Sequence, residues 1–335
     1  MNKMICSTLL TMVCCQITFS QIDTIKYGLK GKIIRALEKS PTSSSTVYAG
    51  LKGNNLGTGF MYKSSDAGHT WHVLNNGQPI DPYVSDIQAV AETRLQNKTL
   101  YAGTWKNGLF KSENGGESWE KDTTFPSSDV RSIRTGIQNP NLIYAATSNF
   151  GVVRSNDGGN TWHRNSPQQI DTTFQFAWSI ETDPNNDGVI YALTFSGGVW
   201  KSNDQGEHWD KSLDTEGKVA WDMKISDGSD ELWVATSMRG DSLSAVYHSA
   251  DAGTTWKEIA DVPQIGVSEI NVYEHNEQRV LFVGSWRDGV YQFKNDEWEK
   301  VENVDFSSIA HIIVQDNKVL IGSWGNGMYT IEPSQ

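Results

Sequence analysis

"RSNDGGNTW" (residues 154–162) is one of five near-copies of a nine-residue phrase. "KSSDAGHTW" ends at Trp71, "KSENGGESW" at Trp119, "KSNDQGEHW" at Trp209 and "HSADAGTTW" at Trp256. The closing tryptophans therefore follow one another at 48, 43, 47 and 47 residues, and a degenerate copy, "FKNDEW", ends 42 residues later at Trp298. A period in the forties with several short strands per unit is the signature of a β-propeller blade. Each unit divides into four strands, for example "VRSIRTG", "LIYAATS", "GVVRSN" and "TWHRN" in the third. Alternating and β-branched runs cut by Gly, Asn, Asp and Pro support strands throughout, and no helical period of useful length occurs.

The segments "VYAGL", "LYAGT", "IYAAT", "IYALT", "LWVAT", "LFVGS" and "VLIGS" mark the second strands of seven units. The seventh unit stops after its third strand, "GMYTIE", whereas "IDTIKYG" (residues 22–28) has no unit of its own. If that segment supplies the missing outer strand, both chain ends meet in one blade. The ring then closes and hides edges that would otherwise invite aggregation. The pattern thus predicts an all-β, seven-bladed propeller of four-stranded blades, spanning residues 21–335 as a single domain.

Residues 1–20 read differently. Lys3, the apolar run "ICSTLLTMVCC" and the small residues of "TFS" before Gln21 have the pattern of a secretory signal cleaved near Ser20. This predicts a secreted, periplasmic or extracellular protein. All three cysteines (Cys6, Cys14 and Cys15) fall within the signal, so the mature chain has no thiol for disulfides or thiolate metal sites. Met12-Val13-Cys14 before Cys15 lacks the small residue of a lipoprotein anchor. Without Lys3 there are 27 basic against 40 acidic residues, a formal charge of −13. Such a charge argues against nucleic-acid and anionic-membrane partners. No second apolar run reaches spanning length, so no membrane insertion is expected.

The repeated box falls between the third and fourth strands. Its Asp or Asn can accept backbone N–H bonds within the turn, its glycine supplies a positive φ, and its tryptophan opens the outer strand and buries between blades. The pattern Ser-x-Asp-x-Gly-x-Thr-Trp resembles the Asp-box, or BNR, repeat, over nearly all of the mature chain. That family includes sialidases, xyloglucan-cleaving hydrolases, sortilin-type receptors and photosystem assembly factors. The resemblance implies that the boxes are structural and lie on the side away from the ligand. It does not select a member. "IIRALEKSP" offers Arg35 without the rest of the sialidase motif. The xyloglucan enzymes, closest in strand wording, build their cleft between two propellers, and sortilin-type receptors need ten blades. Assembly factors match in blade count and size. Each box has too few carboxylates for a calcium site.

The face opposite the boxes is formed by the loops between second and third strands and by the blade-to-blade connections. Five of the thirteen tryptophans fall there: Trp105, Trp178, Trp221, Trp286 and Trp324. Aromatic faces stack on sugar rings or on flat apolar patches, so this concentration suggests a recognition surface. Trp178 and Trp221 begin strands, and for them packing between blades is an equal alternative. Arg131, Arg239 and Arg287 on the same loops could clamp a carboxylate or sulfate. Asp86, Asp222 and Glu269 open inner strands at similar places, and paired carboxylates are what glycoside hydrolysis requires. Acids at strand starts also serve simply to solvate a channel. The seven histidines form no ligand pattern, and no cofactor or metal motif is present. The leading expectation is a secreted propeller that binds a glycan, an acidic one if the arginines take part. The runner-up is a glycoside hydrolase using Asp222 with Asp86 or Glu269. A scaffold for an extracellular protein partner comes third.

Overall fold

The computed structural model describes residues 22–333 apart from 54–57, 96–97, 166–173, 175, 196, 227–229, 239–242, 276–277, 305–307 and 316–317. Residues 1–20, read above as a secretory signal, lie outside the described residues. Among those described, the chain forms seven four-stranded antiparallel sheets and almost no helix. These are the seven blades of a β-propeller. Their inner strands, in order, are Ile33–Lys39, Ile87–Glu92, Val130–Thr135, Ala177–Asp183, Val219–Ile225, Val267–His275 and Ile309–Gln315, and they number blades 1 to 7. The outer strand of blade 7 is Ile22–Gly28, paired antiparallel with Met328–Pro333 so that Tyr27 lies opposite Tyr329. The two ends of the chain therefore close the ring in one sheet, as the orphan "IDTIKYG" predicted.

The hydrophobic core is divided among the spaces between neighbouring blades. Tyr48 and Met61 of blade 1, for example, pack on Val84, Ile87, Leu100 and Phe110 of blade 2. Glycine in the "YAG" strands permits this approach. A Cβ at Gly50 would stand 2.7 Å from Ile87 Cγ2 of the next blade, and one at Gly103 2.6 Å from Val130 Cγ1. Replacing either would push the blades apart.

The boxes form one repeated turn. Asp157 accepts bonds from the Ser155 hydroxyl (2.8 Å), the Thr161 amide (2.9 Å) and the Thr161 hydroxyl (2.6 Å), while Ser155 Oγ accepts from Gly159 N (2.8 Å). Asp66 and Asp251 repeat the same bonds. The tryptophan precedes the outer strand instead of opening it: Trp162 stands before His163–Arg164, and its indole N–H bonds to Asp122 of blade 2 at 2.8 Å. Tyr101 of blade 2 reaches the same turn, donating to the Gly158 carbonyl at 2.6 Å. The recurring groups of this turn, Ser155, Asp157, Thr161 and Trp162, are thus engaged in the turn or in clamping the adjacent blade.

The bond from the Thr161 hydroxyl, with those from the Thr161 amide, Ser155 and Asn160, outweighs burial and brings the Asp157 carboxyl down to about 2. A depressed carboxylate stabilises the fold above its unfolded pKa near 4, and this contribution is lost as pH falls towards 2. Asp157→Ala is expected to cost about 1–2 kcal/mol through the lost turn bonds. Urea denaturation at pH 7 and pH 2.5 checks both statements: the difference between parent and variant should shrink at the lower pH.

Candidate functional site

All seven inner strands carry a register shift at the same height, between Ile34 and Ala36, Ile87 and Ala89, Val130 and Ser132, Ala177 and Ser179, Ala220 and Asp222, Val267 and Glu269, and Ile309 and His311. A bulge leaves its extra residue unpaired and re-aims that side chain. The extra residues are Arg35, Gln88, Arg131, Trp178, Trp221, Ser268 and Ala310, and all seven line the mouth of the central channel. A second tier comes from the first residues of the loops between second and third strands. Trp105, Phe195, Trp286 and Trp324 each donate their amide to a carbonyl in the preceding connection (Asp86, Phe176, Gly266 and Ser308). These four positions are therefore equivalent, on the face opposite the boxes.

Contacts run unbroken around the mouth. Arg131 lies over the Trp178 ring (5.0 Å), Trp178 packs edge-on to Trp221 (5.1 Å), Trp221 to Trp286 (5.5 Å) and Trp286 against Trp324 (5.5 Å). Arg35 stacks on Trp324 at 4.1 Å and donates to Asp86 at 2.9 Å, Gln88 donates to Asp86 at 3.3 Å, and Arg131 donates to Gln88 at 2.8 Å. The tryptophans differ in access. Trp221 is buried, with its N–H on Ser237 Oγ at 2.7 Å. Trp178 and Trp286 are half-buried, and Trp324 is 36% exposed. Trp105, 39% exposed, stands outside this arc beneath the Lys106 ammonium.

The arginines are already engaged. Besides Gln88, Arg131 donates to Asp129 (2.8 Å) and to Ser148 (2.9 Å), which completes its fork. Arg287 is exposed on its loop, but the neighbouring Asp288 is held by Lys300 and by the Tyr291 hydroxyl. Arg239 lies outside the described residues.

The three acids do not share one position. Asp222 and Glu269 directly follow the bulge on adjacent blades, whereas Asp86 precedes it on blade 2, across the ring, and is buried against Arg35. Asp86 stands two residues before the bulged Gln88, whereas Asp222 and Glu269 stand one residue after Trp221 and Ser268, so a common place at the strand start conceals different positions. Asp222 accepts the Ile270 amide (3.1 Å), Glu269 accepts the Ile312 amide, and His311 donates from Nε2 to the Arg35 carbonyl (2.8 Å). Each side chain fastens its blade to the next. Burial and the proximity of Asp222 hold the Glu269 carboxyl well above the usual range, and burial likewise raises Asp222. Burial brings His311 down to about 4, so its ring is neutral near pH 7.

Below the mouth, a channel of about 540 Å³ is lined, three residues further along five of the seven inner strands, by Glu38, Arg134, Glu181, Lys224 and Asn271. Arg134 bonds Glu181 through both forks (2.9 and 2.5 Å) and approaches Glu38 at 3.5 Å. Lys224 lies 3.4 Å from Asp222 and 3.7 Å from Glu181. Sequence reading passed over this tier and over His311. The signal available was the offset of three from the mouth position, which is polar in five units and apolar in the other two, Ala91 and Ile313.

The fold and this mouth define a seven-bladed β-propeller built up on the face away from its boxes. No protein-family model matches the chain, and no curated protein matches it by sequence. Solved structures do. An ancestral GH74 enzyme superposes with a TM-score of 0.71 at 19% identity, covering 92% of this chain and 46% of that one. The extracellular domain of a hybrid two-component system from B. thetaiotaomicron gives 0.65 at 13%, over 92% of this chain and 41% of the other. YCF48 bound to D1 peptide gives 0.64 at 14%, over 93% and 97%. All are β-propellers. The chain spans about half the length of the GH74 enzyme and nearly the whole of YCF48. Among the described residues no helix is long and apolar enough to cross a membrane.

Proposed function

We propose that this chain is a secreted recognition propeller of the Asp-box (BNR) type, released by signal cleavage near Ser20, that binds a glycan on its tryptophan-rich face. The observation that carries this is the arc of Trp178, Trp221, Trp286 and Trp324 around the channel mouth. The surrounding face supports it. Of the seven large, exposed apolar residues among those described, six (Tyr83, Trp105, Phe176, Met238, Leu243 and Trp324) belong to loops of that side, and the seventh, Val73, lies on an outer strand. Concave mouths with an apolar rim and a few fixed polar groups are where proteins take ligands, and indole faces match the C–H face of a sugar ring. Because Arg35 and Arg131 are tied to Asp86 and Asp129, stacking leads recognition and the arginines hold the rings in place.

The hydrolase reading has less behind it. Asp222 and Glu269 are fastened to the next blade, and Asp86 sits across the ring. The GH74 neighbour is twice as long as this chain. Length instead favours a protein partner as the second reading, since YCF48, solved with a peptide, is matched over almost its whole chain.

A glycan-array screen of the mature chain, with a reducing-end assay of each hit, tests the proposal. Binding without product is expected. Trp324→Ala and Trp286→Ala should each weaken the hit at least tenfold, about 1.4 kcal/mol. Binding that survives both substitutions would remove the aromatic arc from the site.

A further inference from the structure

Two positions on the mouth share a construction: a tryptophan ring, a cation stacked on it, and a carboxylate holding the cation. One is Trp324–Arg35–Asp86, the other Trp178–Arg131–Asp129. Between them, at blades 5 to 7, the same parts occur in a different balance. Trp221 and Trp286 supply rings 5.5 Å apart, and Asp222 and Glu269 supply carboxylates. The mouth positions there are the small residues Ser268 and Ala310.

Glu269 is the unusual member. Its side chain is 16% exposed at the junction of mouth and channel, and among the described residues no lysine or arginine lies within 4.0 Å of it, although Lys224 and Arg134 act on it from further off. Asp222 has Lys224, and Glu181 shares Lys224 and Arg134. Among the described residues the base in contact with Glu269 is His311, whose Nδ1 lies 3.6 Å from Glu269 Oε2. Chemistry fixes the tautomer. The Arg35 carbonyl can only accept, so His311 Nε2 carries the proton and, in the neutral ring, Nδ1 is an acceptor. Two acceptors then face one another unless Glu269 keeps its proton, in agreement with the upward shift of its carboxyl. An ammonium group would answer both at once, donating to Glu269 and to Nδ1 while the Glu269 proton leaves to solvent. The indoles alongside would add cation–π attraction.

We infer that this part of the mouth receives the ammonium group of an amine-bearing saccharide, with Glu269 as its anionic partner and Trp286 and Trp221 as its walls. The inference rests on the glycan reading above and narrows it to amino sugars whose nitrogen is unsubstituted.

The test is calorimetric titration of the mature protein with chitosan tetraose, its fully N-acetylated counterpart and cellotetraose. The free amine is expected to bind at least tenfold more tightly than either neutral sugar. Glu269→Gln, which keeps an acceptor for the Ile312 amide, should erase that preference, so that the variant binds the amine and cellotetraose within twofold of each other. Ser268→Arg is a second variant independent of Glu269. Blades 1 and 3 already hold arginine at this position, so the fold accommodates it, and a resident guanidinium should block the amine in the same way. Equal affinity for all three sugars, or an amine preference that survives both variants, would overturn the inference and leave glycan recognition standing. Binding of a lysine oligomer together with failure of every saccharide would overturn both.

Discussion

Removal of residues 22–28 is expected to lower the thermal midpoint by on the order of 10 °C or more, or to drive the protein into aggregates. The strand Ile22–Gly28 is the outer strand of blade 7 and comes from the opposite end of the chain to its three companions. Without it, Met328–Pro333 presents an unpaired edge, which is a template for intermolecular pairing. The seam to blade 1 suffers as well. Gly28 lies against the first box tryptophan, so closely that an added Cβ would stand 2.9 Å from Trp71 Nε1. Each kcal/mol lost shifts the midpoint of a domain of about 150–250 residues by roughly 2–4 °C, so a loss of several kcal/mol is easily read by calorimetry. A truncated chain that melts as its parent does and elutes as a monomer would show that the ring does not depend on this closure.

Arg134→Ala should be the most damaging single substitution in the channel, at about 3–5 kcal/mol. Its guanidinium joins Glu181 of blade 4 by two bonds and faces Glu38 of blade 1 at 3.5 Å. Removing it leaves Lys224 as the sole cation beside Glu181, itself 12% exposed and already shared with Asp222. The cost is mostly that of the stranded carboxylates, which yields a sharper expectation. The double variant Arg134→Met/Glu181→Leu should recover at least half of the loss, because an apolar pair of similar volume replaces an ionic one at little penalty. Urea denaturation of the three proteins decides the matter. Additive losses would mean that Arg134 acts through packing and not through charge.

Blade number, strand order and the closing strand were legible because they rest on local, repeated signals: turn glycines, the tryptophan period and alternation. Which loops share the face opposite the boxes was legible for the same reason, since each loop is fixed by its place in the repeat. Which residues meet across the mouth was not. Asp86 looked equivalent to Asp222 and Glu269 because all three open an inner strand, yet a one-residue bulge separates their positions, and nothing in a strand's alternation announces a bulge. The pairing of Arg131 with Asp129 is near in sequence, but its bond to Gln88 crosses 43 residues. Such contacts are set by the curvature of the ring, to which the pattern of a single unit is blind. Arg35 illustrates the same limit. It was noticed only as a fragment of another motif, and it is the residue that joins Trp324 to Asp86.

The seven aligned bulges have a consequence for how such a protein can change. Each extra residue lies outside the strand register, so it carries none of the pairing that holds its blade, and the seven together form an alphabet written on an otherwise fixed wheel. Arginine, glutamine, tryptophan, serine and alanine already occupy these sites on one scaffold. Exchanging letters between blades would rewrite the chemistry of this face while the boxes, the glycine seams and the closing strand go on building the same molecule. Inheritance of the fold and inheritance of specificity are thereby uncoupled. This gives a physical reason why propellers alike in backbone agree at only 13–19% of positions and still keep their shape.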